Sequence, residues 1–189
     1  MTHMGPADFE ARYRADPDPW SYESSGYERD KYDATLRACG PGPFTLALEL
    51  GSSIGVLSAR LALCCDALVT IDAAATAVAT ARRRLSEYDG VTTLLGEIPA
   101  AIPDGAYDLV LASEILYYLE PDALAATFAR IEHETVSGAR LVAVHWRPIG
   151  PERPFSAAEI HRRLRALAWL SAVEQRSTDN YLLDVLVRR

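Results

Sequence analysis

The sequence has few of the features that define secreted, metal-binding or membrane-spanning proteins. Its 189 residues include three cysteines, Cys39, Cys64 and Cys65. An odd number with two adjacent inside an apolar run resembles neither a disulfide framework nor a metal site, so we expect reduced cysteines in a cytoplasmic protein. No apolar run approaches the roughly 20 residues that cross a bilayer. The N-terminal region contains Glu10 and Asp16 and lacks the basic-then-apolar pattern of a signal peptide.

Basic residues are also scarce. Lysine and arginine number 19 against 26 aspartates and glutamates, which gives a formal net charge of −7. Binding to nucleic acid or to an anionic membrane requires a basic face, so we expect neither as a partner. The apolar fraction of 49% and the charged fraction of 24% are typical of a globular protein, and the length suits one domain. The sequence leaves the oligomeric state open.

Strand and helix patterns alternate along most of the chain. Such alternation predicts an α/β protein whose mostly parallel sheet is covered by helices on both faces. Two final strands are separated by only three residues, so they must pair in the antiparallel sense, unlike the last strand of a dinucleotide-binding domain. The predicted strands are residues 45–50, 67–72, 91–95, 107–113, 140–145, 171–177 and 181–188, and the predicted helices are residues 7–14, 27–39, 55–63, 74–87, 121–134 and 156 to about 168.

A glycine turn follows the first predicted strand, in the sequence Glu49-Leu50-Gly51-Ser52-Ser53-Ile54-Gly55. Gly51 lets the backbone pass close beneath a ligand, where a Cβ would collide. The dinucleotide fingerprint has a middle glycine where this chain has Ser53, which leaves less room for a pyrophosphate. The pattern therefore favours S-adenosylmethionine, which has no diphosphate, and an ordinary strand-to-helix turn is the alternative.

Two acidic residues lie at the carboxyl ends of the second and third predicted strands: Asp72 ends the second, and Glu97 follows the third. Asp72 is placed to accept hydrogen bonds from both ribose hydroxyls, although it could instead cap the following helix. In Gly96-Glu97-Ile98, Glu97 could accept from an adenine amino group while Ile98 lies against the ring. A solvated turn is the alternative for Glu97.

Further candidates leave the fourth and fifth strands, at the edge where open α/β sheets bind ligands. Glu114, after Ser113, is a candidate to hold or deprotonate a methyl acceptor. His145 is a candidate base because its ordinary pKa is near 6.5, although a structural histidine is the alternative. Tyr117 and Tyr118 either wall the acceptor site or pack in the core. The other histidines are expected at the surface: His3, His133 and His161.

Two kinds of site lack their sequence patterns. No group of histidines, cysteines and carboxylates has the spacing of metal ligands, so we expect no metal. Ser52 directly follows Gly51, which is the wrong register for the Gly-x-Ser-x-Gly turn of a hydrolase.

The N-terminal region is unusually aromatic and precedes the sheet. It could pack on the sheet edge or form a lid over the cofactor. Its aromatic residues are Phe9, Tyr13, Trp20, Tyr22 and Tyr27.

Several segments together resemble the class I S-adenosylmethionine-dependent methyltransferases, and more narrowly the nodulation protein S family. The segments that carry the resemblance are Asp16-Pro-Asp-Pro-Trp20, Tyr27-Glu-Arg-Asp-Lys31-Tyr32, Leu48-Glu-Leu-Gly-Ser-Ser-Ile-Gly55, Ser113-Glu-Ile-Leu-Tyr-Tyr118 and Val144-His-Trp-Arg147. Two departures are Ser52, where a cysteine is frequent, and Ala73-Ala74-Ala75, which lacks the usual polar residue.

The resemblance implies a Rossmann-like three-layer sandwich with a seven-stranded sheet, in one domain of residues 1–189. Residues 1–40 would form a helical lid and residues 41–189 the catalytic core. Independently of the resemblance, Glu114 and His145 leave strand carboxyl ends on the cofactor side, so we predict them as catalytic residues that flank the acceptor, one orienting it and the other relaying its proton. The implied cofactor contacts are Trp20, Arg29, Glu49, Gly51, Ser53, Gly55, Asp72, Ala73, Gly96, Glu97, Ile98 and Ser113, and the implied acceptor contacts are Tyr27, Tyr117, Tyr118 and Trp146.

The resemblance also implies an activity. S-adenosylmethionine would donate a methyl group and leave as S-adenosylhomocysteine. In the namesake the acceptor is the free amine of a deacetylated chito-oligosaccharide. The chain shows no obvious long extension for an oligosaccharide, so a smaller amine is an equal alternative. Methylation of a small-molecule hydroxyl, or binding of S-adenosylmethionine without catalysis, are the other readings, and a nicotinamide oxidoreductase is the least expected.

Overall fold

The structure, a computed structural model, describes residues 3–148, 150 and 152–189. Its centre is a seven-stranded sheet in the order β3-β2-β1-β4-β5-β7-β6. Strands β1 to β5 are parallel, whereas β7 runs antiparallel to both β5 and β6. The strands are β1 Ala47–Leu50, β2 Leu68–Asp72, β3 Val91–Leu95, β4 Tyr107–Ser113, β5 Thr135–Trp146, β6 Leu170–Ser177 and β7 Tyr181–Arg188.

Helices cover both faces of the sheet. Leu48 and Leu50 of β1 pack in a core with Phe128 and Ile160, whereas Ala47, on the opposite face, packs in a second core. Alternating side chains of one strand thus enter different layers, as a strand's period of two dictates. None of the helices within the described residues is long and apolar enough to cross a membrane. The helices are α1 Pro6–Ala15, α2 Gly26–Cys39, α3 Val56–Leu61, α4 Ala75–Leu85, α5 Pro121–Glu134 and α6 Ala157–Arg165, with short 3₁₀ turns at Ala62–Cys64 and Leu116–Tyr118.

The predicted elements are all present, and several of them have shifted ends. The largest shift is in β5, which begins at Thr135 rather than at residue 140. Gly138 lies inside this strand with a φ of +82°, and the pairing of β5 with β4 changes register nearby. The glycine therefore permits a bulge within the strand and does not end a turn before it.

The position predicted for His161 is wrong. This residue lies on α6 with Ile160 and Leu164, and all three are fully buried because that face of the helix packs on the sheet. His161 Nε2 lies 3.1 Å from Nδ1 of His145. On the other side of its ring, Nδ1 lies 3.0 Å from Oδ2 of Asp184. His161 therefore lies beside polar side chains of β5 and β7, whereas the sequence predicted that it would be exposed to solvent.

Candidate active site

A cavity of about 640 Å³ opens at the carboxyl ends of the parallel strands, against the N-terminal helical segment. It brings together most of the predicted site residues, although they are widely separated in the sequence. Those that line it are Trp20, Tyr27, Gly51, Ser53, Asp72, Ala73, Gly96, Glu97, Ile98, Ser113, Glu114, Tyr117, Tyr118 and Trp146. Those that do not line it are Arg29, Glu49, Gly55 and His145.

The turn after β1 is held in an unusual backbone conformation. Gly51 has a φ of +75°, and a Cβ there would lie 3.0 Å from Cβ of Ile115. Ser53 also has a positive φ, of +51°, which is uncommon for a residue with a side chain. Its hydroxyl shares a hydrogen bond of 2.5 Å with the hydroxyl of Tyr13. The turn is therefore held against α1, which also lines the cavity.

The side chain of Asp72 also holds the turn after β1 in position. Its Oδ2 accepts a hydrogen bond of 2.8 Å from the backbone N–H of Ser53, and its Oδ1 accepts one of 2.9 Å from that of Ala74. Burial raises the pKa of Asp72, and these backbone donors oppose that rise. A carboxylate can accept about four hydrogen bonds, so capacity remains for two ligand hydroxyls. The side chain of Asp72 can therefore accept a hydrogen bond at the start of α4 and still have acceptor capacity for a ribose.

The turn after β3 forms another part of the wall. A Cβ on Gly96 would lie 2.6 Å from Cβ of Ala101, so the turn needs a glycine there. Ile98 is partly buried and packs against the core, whereas Glu97 is exposed at the cavity rim. This pair offers an apolar surface beside a carboxylate.

Three of the predicted cofactor residues lie outside the cavity. Glu49 is buried behind the turn, where it accepts a hydrogen bond from the hydroxyl of Ser58, and burial raises its pKa to about 7. Gly55 has a φ of +79°, and a Cβ there would lie 3.1 Å from Cβ of Ala81, so it allows α3 to approach α4. Arg29 is exposed on α2. Glu49 does border a small space of about 30 Å³ that also touches Gly51 and Ser53.

Glu114 is held from three directions at the end of β4. Nζ of Lys31 donates to its Oε1 at 2.8 Å. The hydroxyl of Tyr117 and the backbone N–H of Trp146 donate to its Oε2, the latter at 2.9 Å. Its backbone has a φ of +60°. Strained conformations of this kind cluster at functional sites, because the surrounding contacts must maintain them.

Lys31 and Glu28 are site residues that the sequence reasoning missed. The ammonium group of Lys31 lies between the carboxylates of Glu28 and Glu114, and its side chain is 2% exposed. Burial opposes the charge, but the two carboxylates prevail and raise the pKa of Lys31. Burial likewise raises the pKa of Glu28. Both residues lie in the segment that carries the family resemblance, yet nothing in their spacing links Lys31 to a residue 83 positions later.

Aromatic rings form another part of the cavity wall. Phe9 of α1 meets Tyr118 edge to face, with ring centroids 4.9 Å apart. Tyr118 meets Tyr117 in the same way at 4.7 Å. The guanidinium carbon of Arg153 lies 4.2 Å from the ring centroid of Tyr117. Sequence patterns do not point to Arg153, because it lies in a proline-rich loop without a motif.

His145 packs against the ring of Tyr117 and does not itself line the cavity. It is fully buried, and its ring packs edge to face on Tyr117 with centroids 4.9 Å apart. Burial lowers the pKa of His145 well below its ordinary value, with the neighbouring His161 adding to the effect. It is therefore uncharged at neutral pH and separated from the cavity by the ring of Tyr117. This placement assigns it a supporting position, in contrast to the direct contact that the sequence suggested.

The lining of the cavity is acidic. Within the part of the chain that the structure describes, no group of three or more His, Cys, Asp or Glu side chains is arranged to hold a metal ion. The acidic surface is thus suited to an organic cation. The acidic residues are Glu28, Asp72, Glu97, Glu114, Glu120 and Glu152, and the lysine and arginine residues are Lys31 and Arg153.

Comparison with known proteins identifies the family. The family model of Nodulation protein S (NodS) matches residues 5–133. The chain belongs to the nodulation protein S family. It is 32% identical over 117 residues to Nodulation protein S of Sinorhizobium fredii, covering 61% of this chain and 54% of that protein. It is 29% identical over 109 residues to Nodulation protein S of Rhizobium tropici, covering 57% of this chain and 46% of that protein. The chain thus spans about half the length of these curated relatives.

A solved structure matches almost the whole NodS-like fold. It is that of the N-methyltransferase NodS from Bradyrhizobium japonicum WM9 in complex with S-adenosyl-L-homocysteine, with a TM-score of 0.81 and 22% sequence identity. The match covers 96% of this chain and 97% of that one. The family and the Rossmann-like methyltransferase fold predicted from the sequence are therefore confirmed.

Proposed function

We propose that this protein is a cytoplasmic S-adenosylmethionine-dependent methyltransferase that methylates the amine of a small molecule. One observation carries the proposal. One cavity is lined both by the Gly51 turn with Asp72 and by Glu114, which Lys31 and Tyr117 hold in position. When bound, S-adenosylmethionine supplies a methyl group on a positively charged sulfur, which leaves as a neutral thioether and needs no proton.

The residues of the cofactor side fit an adenosyl group. Asp72 keeps acceptor capacity for the ribose hydroxyls, and Gly51 presents no side chain beneath the ligand. Ile98 offers an apolar face for the adenine ring, with Glu97 beside it to accept from the amino group. Carboxylates around the cavity favour the positive sulfur and the ammonium of the methionine portion. We assign Trp20, Ser53, Ala73, Gly96 and Ser113 to the same wall.

Glu114 is the group that we assign to the acceptor. Its Oε1 has one protein donor, so it can accept a further hydrogen bond from the amine. Lys31, Tyr117 and the backbone of Trp146 fix its position, and alignment of this kind is the main contribution that an enzyme makes to an in-line displacement. As the carbon–nitrogen bond forms and the carbon–sulfur bond breaks, the amine must lose one proton, and Glu114 is placed to take it.

The acidic lining favours an amine over a hydroxyl as acceptor. A protonated amine is attracted by Glu114 and its acidic neighbours, whereas a neutral hydroxyl gains nothing from their charge. Tyr27, Tyr117, Tyr118 and Trp146 would then enclose the acceptor, and residues 1–40 would act as the lid. Met1 and Thr2 of that segment lie outside the described residues.

Calorimetry tests the cofactor assignment. S-adenosylhomocysteine is expected to bind the wild-type protein, whereas NAD is not. Asp72→Ala should weaken that binding about tenfold or more, because charge-assisted hydrogen bonds are lost. Asp89→Ala removes an exposed aspartate and should leave it unchanged. Binding of NAD in preference to S-adenosylhomocysteine would refute the proposal.

A turnover screen tests the reaction. The protein is incubated with S-adenosylmethionine carrying a labelled methyl group and with matched small amines and alcohols. Transfer of label to amines is the expected result. Transfer to the alcohols alone would establish O-methylation instead, and cofactor binding without any transfer would support a non-catalytic binding protein.

A further inference from the structure

Arg153 differs from Lys31 in its surroundings, although both line the cavity. Lys31, the other strongly basic residue of the lining, is neutralised by Glu28 and Glu114. Among residues 3–148, 150 and 152–189, no acidic side chain forms an ion pair with Arg153. Its Nη1 donates to the carbonyl of Pro148 at 3.2 Å, and its Nε is buried without a hydrogen-bond partner.

Three aromatic rings hold this guanidinium in place. Its carbon lies 4.2 Å from the ring centroid of Tyr117, 5.4 Å from that of Tyr118 and 5.2 Å from that of Trp146. Cation–π contacts use the faces of a guanidinium and leave its in-plane N–H groups available. Because Nε is buried, the N–H groups of Nη1 and Nη2 are the ones left to pair with the oxygens of a carboxylate. The aromatic wall thus orients an unpaired anion-binding group within the cavity.

The position of Arg153 relates it to the acceptor. Tyr117 donates its hydroxyl to Glu114 and packs its ring against Arg153, so one side chain connects the proposed amine-binding carboxylate with the unpaired guanidinium. The charge of Arg153 is single, and Glu114, Glu120 and Glu152 also line the cavity. A monoanion balances this charge, whereas a dianion would be repelled by the surrounding carboxylates.

We propose that Arg153 binds a carboxylate of the methyl acceptor, so that the acceptor is a small amino acid-like molecule whose amine faces Glu114. This inference rests on the proposed function. It adds a second contact between the protein and the acceptor. With its amine at Glu114 and its carboxylate at Arg153, the acceptor would bind in one orientation. Discrimination against an uncharged analogue follows, because that analogue would leave the guanidinium unpaired.

Binding to the protein loaded with S-adenosylhomocysteine tests the proposal without requiring turnover. Calorimetry at pH 7 compares glycine, β-alanine and 4-aminobutyrate with their neutral amides, which keep the amine and lose the anion. At least one of the three acids should bind about tenfold or more tightly than its amide. Arg153→Met should abolish this preference, whereas Arg153→Lys should retain part of it because Lys keeps the charge but not the planar fork.

Arg163→Met is the matched control. Arg163 also lies over an aromatic ring, 4.6 Å from the centroid of Phe155, but it does not line the cavity. This variant should keep both the preference and the affinity for S-adenosylhomocysteine. Arg153→Met should also keep that affinity.

Three results of the acceptor measurements would overturn the inference: equal binding of acids and amides, a preference that survives in Arg153→Met, or tighter binding of 2-aminoethyl phosphate than of every acid. Weaker S-adenosylhomocysteine binding by Arg153→Met alone would assign the guanidinium to the cofactor and also refute it. Absence of S-adenosylhomocysteine binding by the wild-type protein would instead refute the proposed function itself.

Discussion

Glu114 combines a strained backbone with a side chain that three neighbouring groups hold in position. Glu114→Gln keeps the size of the side chain and can still accept from Lys31, but it removes the negative charge that we propose receives the amine proton. We expect kcat to fall by about 100-fold or more, since a positioned base contributes at least that much. Affinity for S-adenosylhomocysteine, measured by calorimetry, should change little. A kcat within a few-fold of wild type would remove Glu114 from the mechanism.

Glu49 makes stability depend on pH. Its pKa rises from 4.5 to about 7 because it is buried, so the folded state holds this proton more tightly than the unfolded state does. Its contribution to stability is fully present below pH 4.5 and is lost as the pH rises to about 7.

Glu49→Gln should remove this pH dependence. Relative to wild type, the variant's free energy of unfolding should improve by about 2 kcal/mol more at pH 8 than at pH 5. Urea unfolding at the two pH values measures the difference. Glu87→Gln, which changes an exposed residue, should show no such difference. An equal effect of Glu49→Gln at both pH values would contradict a raised pKa.

The sequence could predict the site residues that end strands but not those that reach the cavity from elsewhere. Asp72 and Glu114 lie at the carboxyl ends of strands whose order and direction are readable from the apolar pattern, so their shared edge was predictable. Lys31 and Arg153 enter from a helix and a loop, and their contacts depend on tertiary packing that no local spacing encodes. His145 also ends a strand, yet the ring of Tyr117 separates it from the cavity, which only the packing of α6 and β5 determines.

Two glycines with similar positive φ values allow the cost of that φ to be compared with the cost of steric crowding. Gly55, at the start of α3, and Gly138, in the bulge of β5, have φ values of +79° and +82°. A Cβ on Gly55 would lie 3.1 Å from Ala81, whereas a Cβ on Gly138 would meet nothing within 4 Å. Alanine at either position has a similar unfavourable φ, but only at Gly55 does it also crowd a neighbouring helix.

Gly138→Ala should therefore cost about 1 to 2 kcal/mol of stability, the cost of a left-handed conformation. Gly55→Ala should cost about 1 to 3 kcal/mol more, because the added methyl group pushes α3 away from α4. Urea unfolding of both variants measures the two values. Equal losses would show that the contact with Ala81 adjusts freely.

The elements were predicted more accurately than their ends. Strands β3 and β4 and helix α5 begin and end where the sequence placed them, because turn residues and a proline at the first helical position mark their limits. The predicted start of β5 is wrong because the sequence alone does not distinguish a glycine in a bulge, as Gly138 is, from a glycine in a turn. His161 was misplaced because polar partners on β5 and β7, distant in sequence, accommodate it in the core.

At the scale of the whole molecule, the N-terminal segment is fastened to the core at separate points. Glu10 of α1 accepts hydrogen bonds of 2.9 and 2.8 Å from the backbone and side chain of Thr76, at the start of α4. Tyr13 bonds to Ser53 on the glycine turn. The segment also contributes several aromatic residues to the cavity wall. A lid role for residues 1–40 thus requires these contacts to open and close with the ligand.

Hydrogen–deuterium exchange tests the lid. S-adenosylhomocysteine should slow amide exchange in α1 and α2, because a ligand in the cavity would stabilise the closed arrangement. Exchange in β6 should not change, since no residue of that strand lines the cavity, and it serves as the internal control. Unchanged exchange in both helices at saturating S-adenosylhomocysteine would indicate that the segment is a fixed wall.

Glu152 connects this N-terminal segment to the loop that holds Arg153. Its carbonyl accepts a hydrogen bond of 2.9 Å from the backbone N–H of Met4, and its carboxylate lies 3.3 Å from the guanidinium of Arg12. A ligand that orders either side therefore lowers the cost of ordering the other. By thermodynamic reciprocity, each ligand would then tighten the binding of the other by the same factor. The consequence is a coupled binding equilibrium: cofactor and acceptor would bind synergistically, and the apparent affinity for each would rise with the concentration of the other.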